Sequence, residues 1–274
     1  MSKIIVPTDF TPVSEVAIRY ACEIATYTKS EVHLLHIVHE DDGMKEAHAQ
    51  LTEQANRHRN AGVNIDVIAK EGSIFEDIPA IAESHGAELI IMGTHGLRGM
   101  QFLVGSNALR IVSETKVPMI IVQEGTQLSA KVTKVLAPLD LHKETKQKLR
   151  FAADVAERFH AEVHLISPKE SDEFLNNRLE RNVSYSEGYM EERKVKYVTH
   201  VTGSGEGAFV KDLLQYAKDN SIDLICILNT AEDRLIHAFG VDAEQKIITN
   251  EHAIPVMILN RTATYKDDRS IFAQ

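Results

Sequence analysis

The chain has 274 residues, room for two domains of ordinary size, with 43% hydrophobic and 26% charged residues. No apolar run approaches the roughly 18 residues a membrane helix needs, and a net charge of -10 disfavours a nucleic-acid backbone as partner. Cys22 and Cys226 sit in apolar-periodic stretches and read as small buried hydrophobes; with no leader ahead of Ile4-Ile5-Val6, the expected address is cytoplasmic.

Short runs rich in Ile, Val and Leu, the mark of strands buried on both faces, fall at Ile4 to Pro7, Val32 to Val38, Ile65 to Ala69, Leu89 to Met92 and Met119 to Val122. Helical periodicity lies between them. Val13, Val16, Ala17, Tyr20, Ala21, Ile24 and Ala25 recur at three- and four-residue steps behind Thr11-Pro12, a capping residue followed by proline at the first helical position. Further helices are expected over Gly43 to Ala61, Phe75 to His85 and Ser106 to Ser113. A polar linker, Glu124 to Ala130, follows.

The second half repeats the scheme. Lys3-Ile4-Ile5-Val6-Pro7-Thr8-Asp9 matches Lys134-Val135-Leu136-Ala137-Pro138-Leu139-Asp140, and the same offset carries Glu31-Val32-His33-Leu34 onto Glu162-Val163-His164-Leu165. Strands are expected at Val135 to Leu139, Val163 to Ser167, Lys196 to Val201, Leu224 to Leu228 and Val256 to Leu259. A helix over about Ser171 to Asn182 runs into a polar stretch, with Tyr185, Gly188 and Tyr189, that the pattern leaves unassigned. The expected architecture is α/β, two tandem doubly wound parallel five-stranded sheets of order 3-2-1-4-5, with domains at 1–125 and 131–262 and a mobile tail at 263–274.

Open parallel sheets take ligands at the carboxyl ends of strands where the winding reverses, here between the first and fourth strands. Pro7-Thr8-Asp9-Phe10 and Met92-Gly93-Thr94-His95-Gly96 should meet there, and the glycine-bearing loop leads to Gly105-Ser106 at a helix start. Such a loop can cradle phosphate, because glycines let backbone N–H groups approach closely and a helix N-terminus adds partial positive charge. Ser106 would add a hydroxyl. In the second half the matching place reads Asn229-Thr230-Ala231-Glu232-Asp233, with Asp242 near the next helix, and carboxylates there oppose an anion. His33, His36 and His39 step by three along a strand, which alternates their faces and serves no common metal. No P-loop, nucleophile elbow or zinc-ligand cluster points to catalysis.

Those segments, with Leu34-Leu35-His36-Ile37, resemble the signature segments of the universal stress protein family, over nearly the whole chain. The resemblance implies a cytoplasmic stress-response protein binding ATP in its first domain as a switch, with Mg²⁺ or Mn²⁺ arriving on the nucleotide. It implies that Asp9 faces adenine and ribose, that Ile37 meets the base, and that Met92, Gly93, His95, Gly96, Gly105 and Ser106 surround ribose and phosphates, with Pro7 and Thr8 shaping the wall. It also implies pairing of the last-strand edges, Val117 to Gln123 with Ile254 to Asn260, in an internal pseudo-dimer, with homodimerisation open. One departure stands out: eight residues, Leu97 to Val104, separate Gly96 from Gly105 where the ATP-binding branch has nine. A slow ATPase and a nucleotide-free scaffold or small-ligand protein are the competing readings.

Overall fold

The computed structural model describes residues 2–38, 43–59, 62–94, 105–128, 131–139, 145–203, 208–229 and 241–260. The chain divides into two compact units, the first over 1–130 with 257–260 and the second over 131–256.

In the first unit, β1 (Lys3–Pro7), α1 (Pro12–Thr28), β2 (Glu31–Val38), α2 (Met44–His58), β3 (Ile65–Glu71), α3 (Ile74–Ser84), β4 (Leu89–Gly93), α4 (Gly105–Glu114) and β5 (Met119–Val122) alternate along the chain. The strands lie in the order β3-β2-β1-β4-β5, all parallel. The sequence-derived order is therefore the observed one. Parallel neighbours require a crossover, and each crossover is a helix whose apolar stripe covers the sheet. In α1 that stripe includes Val13, Val16, Ala17, Tyr20, Ala21 and Ile24, all buried.

Local chemistry sets the element ends. The Thr11 hydroxyl accepts from the Ser14 N–H and Pro12 enters the first turn, while Lys29 closes α1 in the left-handed region at φ 60°. Ser73 caps α3 through the Phe75 N–H. A Cβ at Gly72, just before it, would run into the Asp77 carboxylate, which accepts from the Ser73 N–H at 2.7 Å and pairs with Lys70 at 3.0 Å.

The second unit runs β6 (Lys134–Pro138), α5 (Thr145–Phe159), β7 (Glu162–Ser167), α6 (Glu173–Glu192), β8 (Tyr197–Val201), α7 (Phe209–Asp219), β9 (Leu224–Asn229) and α8 (Val241–Ile248), and β10 (Val256–Asn260) is the last strand of the chain. Strands β8-β7-β6-β9 follow one another as β3-β2-β1-β4 do. Helix α6 corrects the sequence reading, which stopped it at Asn182. Capped by Asp172 on the Leu175 N–H at 2.9 Å, it continues through Tyr185, Gly188 and Tyr189 for 20 residues. Its buried face is thin: Leu179, Ser186 and Met190, seven and then four residues apart, keep helical register where a hydroxyl hides the apolar period. The tail at 263–274 lies outside the described residues.

Candidate functional site

The strand ends of the first unit open into a cleft of about 410 Å³. Its floor comes from Pro7 ending β1, from Thr8 and Asp9 after it, and from Met92 and Gly93 ending β4; one side is the end of β2, from Leu35 to Val38. Ile74 and Ile78 of α3 and Ile111 of α4 complete an apolar wall. Of the sequence-predicted residues, Pro7, Thr8, Asp9, Ile37, Met92 and Gly93 are thus brought together. Gly105 begins α4, whose N-terminus carries the partial positive charge of a helix dipole, with Ser106 next. His95 and Gly96 lie outside the described residues.

Thr8 is buried, and its hydroxyl lies 3.0 Å from both Ser14 Oγ and Gln54 Oε1. Ser14 already donates to the Thr11 carbonyl at 2.8 Å, so Thr8 is the donor and its one proton serves two acceptors. It accepts in turn from the Phe10 N–H. Gln54, 1% exposed, donates to Glu15 at 3.1 Å, and Glu15 also holds His58. Burial works to raise the Glu15 carboxyl, but the bonds from Gln54 and His58 and the charges of His58 and Arg57 outweigh it and hold it below the usual carboxylate range.

Asp9 is exposed. Its Oδ1 accepts from the Thr11 N–H at 3.2 Å and the Thr11 hydroxyl at 2.6 Å, and Oδ2 has no hydrogen bond among the described residues. Phe10 follows in the left-handed region at φ 63°, and its ring lies tilted on that of His36, centroids 4.5 Å apart. Such a backbone is sparsely populated by a non-glycine residue, and here the Thr8 hydroxyl and the His36 ring hold it.

Gly93 has a packing reason independent of any ligand. A Cβ there would stand 2.7 Å from the Val13 carbonyl oxygen and 2.9 Å from its carbon, so the first turn of α1 rests directly on the end of β4.

The hydrogen-bond ladder between β1 and β2 ends in an unusual way. Residues 31 and 35 of β2 turn their peptide groups toward β1: the Glu31 N–H donates to Ser2, and the Leu35 carbonyl accepts from the Thr8 N–H at 2.8 Å. By the alternation of a parallel ladder, Ile37 faces the same way, and its N–H would next donate to the Thr8 carbonyl. That bond is not made among the described residues. His36 Nδ1 takes the Thr8 carbonyl at 2.7 Å instead, and since a carbonyl only accepts, Nδ1 carries the proton. Ile37 is left with an N–H and a C=O side by side at the cleft. Sequence reading missed His36 here; the signal was its place one residue before Ile37, at the end of the β1 pairing.

In the second unit the described residues stop at Asn229 before α8, so Thr230, Ala231, Glu232 and Asp233 lie outside them, as does Asp140. At the end of β6, Lys148 of α5 is buried and its Nζ donates to the Pro138 carbonyl at 2.8 Å. The residue matching Lys148 in the first unit, at the same offset of 131, is Ala17.

Compared with known proteins, the profile of the universal stress protein family matches residues 1–123 and again 131–258. A universal stress protein of Methanocaldococcus jannaschii is 28% identical over 152 residues, covering 44% of this chain and 94% of its own. Among solved structures, a universal stress protein from Archaeoglobus fulgidus DSM 4304 superposes with a TM-score of 0.68 at 19% identity, covering 96% of this chain and 97% of that one. A functionally unknown protein from Pseudomonas aeruginosa PAO1 does so with 0.68 at 17% identity, covering 97% and 95%.

Proposed function

The chain belongs to the universal stress protein family, and on that premise we propose that its first unit binds an adenine nucleotide, ATP, as a stress-response binding switch. The observation that carries this reading is the open peptide of Ile37 beside an apolar cleft. An N–H next to a C=O complements adenine, whose N1 accepts and whose amino group donates, whereas guanine presents the opposite polarity at those two places. The apolar wall of Ile74, Ile78, Met92 and Ile111 suits a flat base. Asp9 Oδ2 is an acceptor for ribose hydroxyls, and the α4 N-terminus at Gly105 supports negative charge on the phosphates.

No lysine or arginine lines the cleft among the described residues, and Arg98 of the glycine-bearing loop lies outside them. In this reading Mg²⁺ or Mn²⁺ arrives bound to the phosphates. The eight-residue spacing from Gly96 to Gly105 favours the second reading, a nucleotide-free scaffold or small-ligand protein. Calorimetric titration of the full chain with MgATP separates the two. Saturable heat at a single site, weakened by Gly105→Val at the start of α4, supports nucleotide binding. No heat with ATP, ADP or AMP rejects it.

A further inference from the structure

We propose that His36 is a positioning residue for base recognition: by holding the Thr8 carbonyl, its Nδ1–H ends the β1–β2 ladder one bond early and keeps the Ile37 peptide open for the base. The inference rests on the nucleotide reading of the cleft but adds what that reading lacks, a cause for the open peptide. Two parallel strands propagate their bonds as far as donors and acceptors allow, because an unpaired peptide group pays for its desolvation once the surroundings exclude water. By the alternation of the parallel ladder the Thr8 carbonyl is the next acceptor for the Ile37 N–H, and with His36 Nδ1 on it that bond is not made among the described residues.

The imidazole wins that acceptor for local reasons. Its Nδ1 sits at 2.7 Å, the Phe10 ring rests on its face, and Phe10 is itself held by the Thr8 hydroxyl. Thr8 in turn is fixed by Ser14 and Gln54. The cap is therefore part of a closed set of contacts among Thr8, Phe10 and His36, and it leaves Ile37 free without movement of the strand. Preorganised peptide groups bind without having to break an internal bond first, which favours the ligand they complement.

Three proteins test this: wild type, His36→Ala and His36→Asn. An asparagine amide nitrogen reaches the place of Nδ1 and restores the donor, so its variant controls for loss of the ring. In ligand-free protein, hydrogen exchange followed by NMR should find the Ile37 amide fast in wild type and in His36→Asn, and slowed in His36→Ala, where it pairs with Thr8. By calorimetry the preference for ATP over GTP should fall about tenfold in His36→Ala, the effect of losing one or two net hydrogen bonds, and recover in His36→Asn. A slow Ile37 amide in wild type overturns the proposal, as does an unchanged ATP preference in a folded His36→Ala protein that still binds ATP. A wild type that binds no adenine nucleotide overturns this proposal together with the reading it rests on, and only that outcome touches both.

Discussion

Gly93 shows how a single missing atom shapes the cleft. The Val13 peptide lies where its Cβ would be, and a backbone cannot rotate away as a flexible side chain can. Gly93→Ala should therefore push α1 from the end of β4 and cost about 1–3 kcal/mol, the range for overpacking a well-filled site. Urea denaturation would register this as a lower midpoint with an unchanged slope. Sequence reading placed Gly93 in a phosphate cradle because glycines in loops at strand ends invite that inference. Its tight contact with α1 could not be read there, since Val13 is 80 residues away and only the fold brings the two together.

At the scale of elements, α3 presents Ile74 and Ile78 to the cleft from its first turns, so the security of its N-terminus matters to the site. Asp77 answers both Lys70 and the Ser73 N–H, which together, the lysine foremost, hold its carboxyl below the ordinary range. The sign follows from linkage: a depressed folded-state value gives stability that is present at neutral pH and is lost as pH falls through the acidic range. Asp77→Ala should cost about 0.5–2 kcal/mol, as loss of a helix-end acceptor does, and thermal unfolding at pH 7 would measure it. At pH 3 the difference from wild type should shrink.

Strands such as β1, β4 and β5 were legible as short runs of apolar residues rich in Ile and Val, and α1 because its stripe repeats without interruption. The latter half of α6 was not, because Ser186 and Gly188 break the apolar count even though Ser186 is buried and bonds the Asn182 carbonyl at 2.6 Å. The members of the candidate site were legible as motif residues, but the open Ile37 peptide was not. It depends on where β1 stops pairing and on which way alternate peptides face, and neither is written in residue type.

Across the whole molecule the duplication repeats a buried imidazole beside a glutamate. His33 lies 3.7 Å from Glu31 and His164 3.1 Å from Glu162, both rings buried in strands. For His33, burial lowers the imidazole most, with Lys3 acting the same way and Asp66 and Glu31 opposing. For His164, burial again comes first, Lys134 adds to it and Glu162 opposes. A histidine whose folded value lies below its unfolded one resists protonation in the folded state, so stability should be full above about pH 6.5, the unfolded value, and decline as pH drops beneath it. The melting temperature should therefore fall between pH 7.5 and pH 5.5, and less steeply in a His33→Gln, His164→Gln double variant. Calorimetric scans at the two pH values would check this.

Lys148 draws the two copies apart. The second unit brings an amine of its own to the last carbonyl of β6, while the matching residue of the first copy, Ala17, carries no side-chain donor. On the proposed reading, the copy that takes a nucleotide at its strand ends is the one without this amine, and its duplicate has a permanent cation of its own at the matching carbonyl.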